Sequence, residues 1–179
     1  MRSIQVAPTL TPILSSSLLG LVPLGWLPAS DVPAPYFQLL VHDHDMTSEL
    51  AAFHSDSITL TVLQSEHTGN HYFREVTLHT KTAHKPVEYG LIEILLDSFP
   101  AALRSHILAG NTPLGAILTS SGLHFRSEPQ GYFSIPSTAL QSVFPKSATG
   151  ATLYGRYNYL ISGEAICLAR ILEILPSAD

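Results

Sequence analysis

Charge is scarce in this chain. Only 13% of its 179 residues are Asp, Glu, Lys or Arg, roughly half the ~25% typical of soluble domains, so each charge inside an apolar stretch needs a reason. Basic residues are scarcest: nine Lys and Arg stand against fourteen Asp and Glu, for a net charge of -5. No Lys/Arg cluster forms the positive field that holds nucleic acid, so nucleic acid is not an expected partner. The single cysteine, Cys167, excludes an intramolecular disulfide and a thiolate-rich metal site. It fits a reducing compartment, and a cytoplasmic location is the expectation. There is no G-x-S-x-G elbow, P-loop, G-x-G-x-x-G or H-E-x-x-H, so hydrolase, kinase and dehydrogenase readings lack support.

A long uninterrupted apolar run is also missing. No charge occurs between Arg2 and Asp31, but Pro8, Pro12, Pro23 and Pro28 break the stretch into pieces, shorter than the ~20 apolar residues a spanning helix needs. Neither a membrane span nor a signal peptide is expected. The length suits one domain, read as an apolar, proline-interrupted extension over 1–35 packed on a domain over 36–179, with a monomer favoured.

Within that domain the patterns are short. After an apolar run from Tyr36, Asp45 is placed to cap a helix starting at Met46, with Glu49 in its first turn. Ser57 to Gln64 and a run from Tyr72 alternate, and turn residues around Gly69-Asn70 join them as a hairpin. A third strand is expected from about Val87 to Leu96, a helix from about Phe99 to Leu108, and a short helix from Pro113. A strand follows near Gly122 to Ser127. Residues 128–150, with Pro129, Pro136 and Pro145, read as an irregular mobile cover over a pocket. Two last strands, about Thr152 to Ile161 and Ala165 to Leu175, form a hairpin at Ser162-Gly163. Hairpins with clustered helices favour an α+β class and an antiparallel sheet covered on one side.

Two charges seem misplaced. Arg74 shares a strand face with Tyr72, Val76 and Leu78. An inward guanidinium needs a carboxylate or dense hydrogen bonding, which leaves an internal ion pair, a snorkelling side chain or an anion site. Glu173 lies in a strand apolar on both faces, expected to be central. There it is a poorly solvated acid–base group, a structural partner of Arg74, or a group exposed by fraying near the end of that strand. His42-Asp43-His44-Asp45 invites a metal reading, but no third ligand sits at recognisable spacing, so no metal is expected.

Four islands in order resemble the chorismate pyruvate-lyase family: Leu39-Leu40 leading to Asp45-Met46-Thr47; Tyr72-Phe73-Arg74-Glu75-Val76-Thr77-Leu78; Gly110-Asn111-Thr112-Pro113-Leu114-Gly115; and Leu153-Tyr154-Gly155-Arg156 through Ser162-Gly163 to Glu173-Ile174-Leu175-Pro176. The resemblance implies a single six-stranded antiparallel sheet with helices on one side. It implies a lyase that turns chorismate into 4-hydroxybenzoate and pyruvate for quinone biosynthesis, without a metal or organic cofactor. Arg74 would then bind the ring carboxylate with the amides of Met46 and Leu114, and Glu173 would meet the oxygen that becomes the hydroxyl. The chain departs from the pattern at Leu91, where the family carries Arg, and Arg170 competes with Glu173 for the acid's place in the alignment. A non-catalytic binder or sensor of aromatic acids is the alternative. Regulator effector domains of this architecture normally follow a winged-helix DNA-binding domain, which is not expected in this chain.

Overall fold

A computed structural model describes residues 16–20 and 22–178. Its centre is one antiparallel sheet in the order β1-β5-β6-β7-β4-β3-β2. The strands are β1 (Gly25–Leu27), β2 (Ile58–Thr68), β3 (His71–Thr80), β4 (Pro86–Leu95), β5 (Phe125–Pro136), β6 (Thr152–Ser162) and β7 (Cys167–Ile174). Among the described residues four α-helices, α1 (Tyr36–Leu40), α2 (Met46–His54), α3 (Ala101–Ala109) and α4 (Leu114–Ser121), pack on one face. The α+β class and the one-sided helical layer are as expected. Asp45 caps α2, its Oδ1 accepting from the Ser48 amide at 2.9 Å. Among the described residues no helix is long and apolar enough to cross a membrane.

The sheet has seven strands, not six. The extra one is β1, in the stretch expected only to lie against the domain. It pairs with β5, Trp26 opposite Phe133, and the two rings meet edge to face at 5.4 Å. Three residues bounded by Gly25 and Pro28 are too short for alternation to register in the sequence. The preceding segment is tied down from beneath: Leu18 N–H donates to Glu75 Oε1 at 2.6 Å and Leu19 N–H to the Tyr89 hydroxyl at 3.2 Å.

The expected cover over 128–150 is also corrected. Most of its first half belongs to β5, which extends through Pro136. Its prolines are tolerated because Pro129 sits at a register irregularity and Pro136 closes the strand. The remainder lies on the sheet face away from the helices, where Leu140 and Phe144 pack with Phe133, Ile135 and Leu153. It cannot close over a helix-side cavity. Gly155 of β6 is packed closely between its neighbouring strands, where a Cβ would stand 2.5 Å from the Glu173 carbonyl oxygen of β7 and 2.7 Å from the Phe133 ring of β5.

Candidate functional site

Alternation along three central strands builds the site's floor. Arg74 and Val76 of β3, Glu88, Gly90 and Ile92 of β4, and Ile171 and Glu173 of β7 all face the helical layer around one cavity. Its volume is about 50 Å³, enough for a few waters. The first turns of two helices form the roof: Asp45, Met46 and Thr47 from α2, and Pro113, Leu114 and Gly115 from α4. They touch each other, since a Cβ on Gly115 would lie 2.7 Å from Asp45 Oδ1 and 3.2 Å from Thr47 Oγ1. First-turn N–H groups have no intrahelical acceptor and carry the positive end of the helix dipole, so the roof favours an anion beneath it. The four residues singled out from the sequence, Arg74, Glu173, Met46 and Leu114, thus line a single cavity.

Arg74 is 1% exposed, and its Nε and Nη1 are buried without a hydrogen-bond partner. The Tyr72 ring lies 5.7 Å from its guanidinium carbon. Burial depresses its proton affinity, with the neighbouring Tyr72 opposing. The sequence left an internal ion pair with Glu173 open, but Glu173 is bonded elsewhere: its Oε2 accepts from Arg156 Nε. Arg156, fully buried opposite Glu173 on β6, also donates through Nη1 to the carbonyls of Leu40 at 3.1 Å and His42 at 3.2 Å. It thereby fastens the α1–α2 connection to the sheet.

Glu88 is the other residue whose importance the sequence reading missed. It is 4% exposed with Oε2 unpartnered. Burial first, then the Glu173 carboxylate, hold its carboxyl well above the usual carboxylate range, against an opposing pull from Arg156. The same misplaced-charge test that found Arg74 and Glu173 applies to Val87-Glu88-Tyr89 and to Gly155-Arg156-Tyr157. A carboxyl whose folded-state proton affinity is raised supports stability fully below its unfolded pKa, near 4.5, and that support is lost as pH rises toward the folded value. Glu88→Gln should therefore flatten the fall in melting temperature above pH 4.5 and exceed the parent protein at neutral pH. Melting curves across pH on both proteins check this, and parallel profiles would count against a protonated Glu88.

Arg170, the rival for the place of Glu173, points to the other face and donates to Glu93 Oε2 at 2.7 Å. Leu91 likewise packs on the far side, with Tyr89, Phe133 and Leu172. His42 and His44 lie beside the roof, and the structure adds the third donor that the spacing hid: Glu49, one turn into α2.

No protein-family model and no curated protein sequence matches the chain. Solved structures do. The effector domain of PhnF from Mycobacterium smegmatis superposes with a TM-score of 0.56 at 11% identity, covering 75% of this chain and 89% of that one. The PhnF structure from the same organism gives 0.55 at 11% identity, over 74% of this chain and 64% of that one. The ligand-binding domain of a GntR-family transcriptional regulator from Bordetella bronchiseptica gives 0.49 at 10% identity, over 68% and 86%.

The fold is similar to that of the PhnF effector domain. At this identity the likeness extends to the fold and nothing finer. The named structures correct the reading of the chain as a chorismate pyruvate-lyase: the likeness is to PhnF and its effector domain, and neither lyase activity nor a role in quinone biosynthesis follows from it. Within the site, Glu173, expected to meet the ether oxygen, accepts from Arg156 through its Oε2.

Proposed function

We propose that the chain is a non-catalytic ligand-binding domain whose helix-side cavity takes a small organic acid, in the manner of an effector-sensing module. One observation carries this reading: a fully buried arginine with two nitrogens unpartnered, beneath two helix N-termini. A desolvated, uncompensated guanidinium costs several kcal/mol, and an anionic ligand is the group that relieves it. The acid group sits against Arg74 and the amides of Met46 and Leu114. The carboxyl of Glu88, its proton affinity raised by burial, donates to a hydroxyl or carbonyl oxygen on the same ligand when it carries its proton, while Glu173 holds Arg156 in place behind it. The known architecture of the neighbours, the "effector domain" of PhnF and a "ligand-binding domain", supports the same class of role. A ring acid larger than the present cavity is admitted when the touching first turns of α2 and α4 part.

The test is calorimetry on tag-free protein with benzoate, 4-hydroxybenzoate, short hydroxy acids and inorganic phosphate. The proposal expects one-to-one binding by at least one of them, and a melting temperature that rises with its concentration. Failure of every member to saturate would overturn it, as would conversion of chorismate into an aromatic product.

A further inference from the structure

The segment His42-Asp43-His44 remains outside the cavity, in the link between α1 and α2. We infer that His42, His44 and Glu49 form a site for a divalent transition-metal ion, with zinc the best match to the donor set. One ligand atom from each lies within 4.8 Å of the other two. Donors sharing a tetrahedral zinc at ~2.0–2.2 Å stand roughly 3.3–3.5 Å apart, so side-chain rotation closes the set without moving the backbone.

The local geometry is already arranged for this. The Asp45 cap starts α2 and brings Glu49 back over the link, so that Glu49 Oε1 stands 2.7 Å from His44 Nδ1. The His42 and His44 rings are stacked, with centroids 5.8 Å apart. On its other side His44 Nε2 lies 3.6 Å from Asp43 Oδ1, a second carboxylate near the site but beyond hydrogen-bond distance. His42 contacts the Leu39 carbonyl through Nε2 at 2.7 Å and Arg156 Nη1 through Nδ1 at 3.4 Å, and one of these is exchanged for the ion. Two imidazoles and a carboxylate suit zinc better than magnesium or calcium, which prefer all-oxygen shells. The side chain of His44 is 68% exposed and that of Glu49 31%, which leaves the ion's remaining position open to water.

This inference is independent of the acid-binding cavity. It is tested by titrating Zn²⁺ into tag-free, full-length protein, alongside His44→Ala, Glu49→Gln and, as a control, His106→Ala, an exposed histidine on α3. One ion per chain should bind, and His44→Ala and Glu49→Gln should each weaken it at least ~10-fold, because even the groups behind a metal ligand are worth ~10- to 100-fold. His106→Ala should bind like the parent. All three substitutions are at solvent-accessible positions, and melting curves confirm folding before titration. No saturable binding at millimolar Zn²⁺, or an affinity that the His44 and Glu49 variants leave untouched, overturns the site.

Discussion

Arg74→Met should abolish acid binding and, in the absence of ligand, make the protein more stable. The two effects have one cause. Arg74 is 1% exposed, and its Nε and Nη1 reach no acceptor in the unliganded protein, so the fold carries a desolvated charge. Replacing buried ionic groups with well-packed apolar ones is often worth ~1–4 kcal/mol. For a chain of this size, ~1 kcal/mol moves the melting temperature by about 2–4 °C. A rise of about 2–16 °C is therefore expected in Arg74→Met without ligand. Binding should weaken by at least ~100-fold, since hydrogen bonds to charged groups contribute ~1.5–3 kcal/mol each and two are lost. Differential scanning calorimetry with and without an acid that binds the parent reads both effects. A variant that melts lower and binds as well as the parent would sink the assignment of Arg74 as the anion's partner.

The second large effect is expected at the ion pair beside it. Arg156 and Glu173 are both buried and bonded to each other, so removing either partner strands the other. Arg156→Met and Glu173→Leu should each cost ~3–5 kcal/mol in urea unfolding, whereas the double variant should recover much of the loss. Arg156→Met carries a further penalty that Glu173→Leu does not, because it also releases the carbonyls of Leu40 and His42. With Arg156 gone, Glu88 loses the cation that opposes its burial and the neighbouring Glu173 charge, so the deficit should deepen as pH rises. Strict additivity of the two single losses would show that the pair is not coupled.

The contrast between Arg74 and Arg156 explains what the sequence disclosed. Strand patterns singled out Arg74, on a face with Tyr72, Val76 and Leu78, and Glu173, in a strand apolar on both faces, and the cap signal at Asp45 located the start of α2. Both are local rules, and both describe the fold correctly. Partner identity is not local. Glu173 meets Arg156 because β6 and β7 are adjacent, while Arg74 on β3 lies two strands from β7, separated by β4. Glu88 and Arg156 sat in strands so apolar that the eye read through the charge. Glu49 was hidden by its distance in sequence from His42, a distance that one helical turn removes. The extra strand and the long β5 were missed because three residues are too few to show a period and because prolines usually mark a break.

The place of β7 bears on how the chain reaches this state. It is the last strand in sequence and the fourth of seven in space, lying between β6 and β4. Until residues 167–174 are available, β2-β3-β4 and β1-β5-β6 are two open sheets, each with an unpaired inner edge. Arg156 on one of them has no counter-ion, because its carboxylate arrives with the final strand. The native sheet is thus completed through two ladders, the β6–β7 hairpin and the long-range β4–β7 pairing, the latter the non-local kind that forms slowly. A chain in which this strand is undocked exposes two unpaired inner edges, the surface that invites edge-to-edge association.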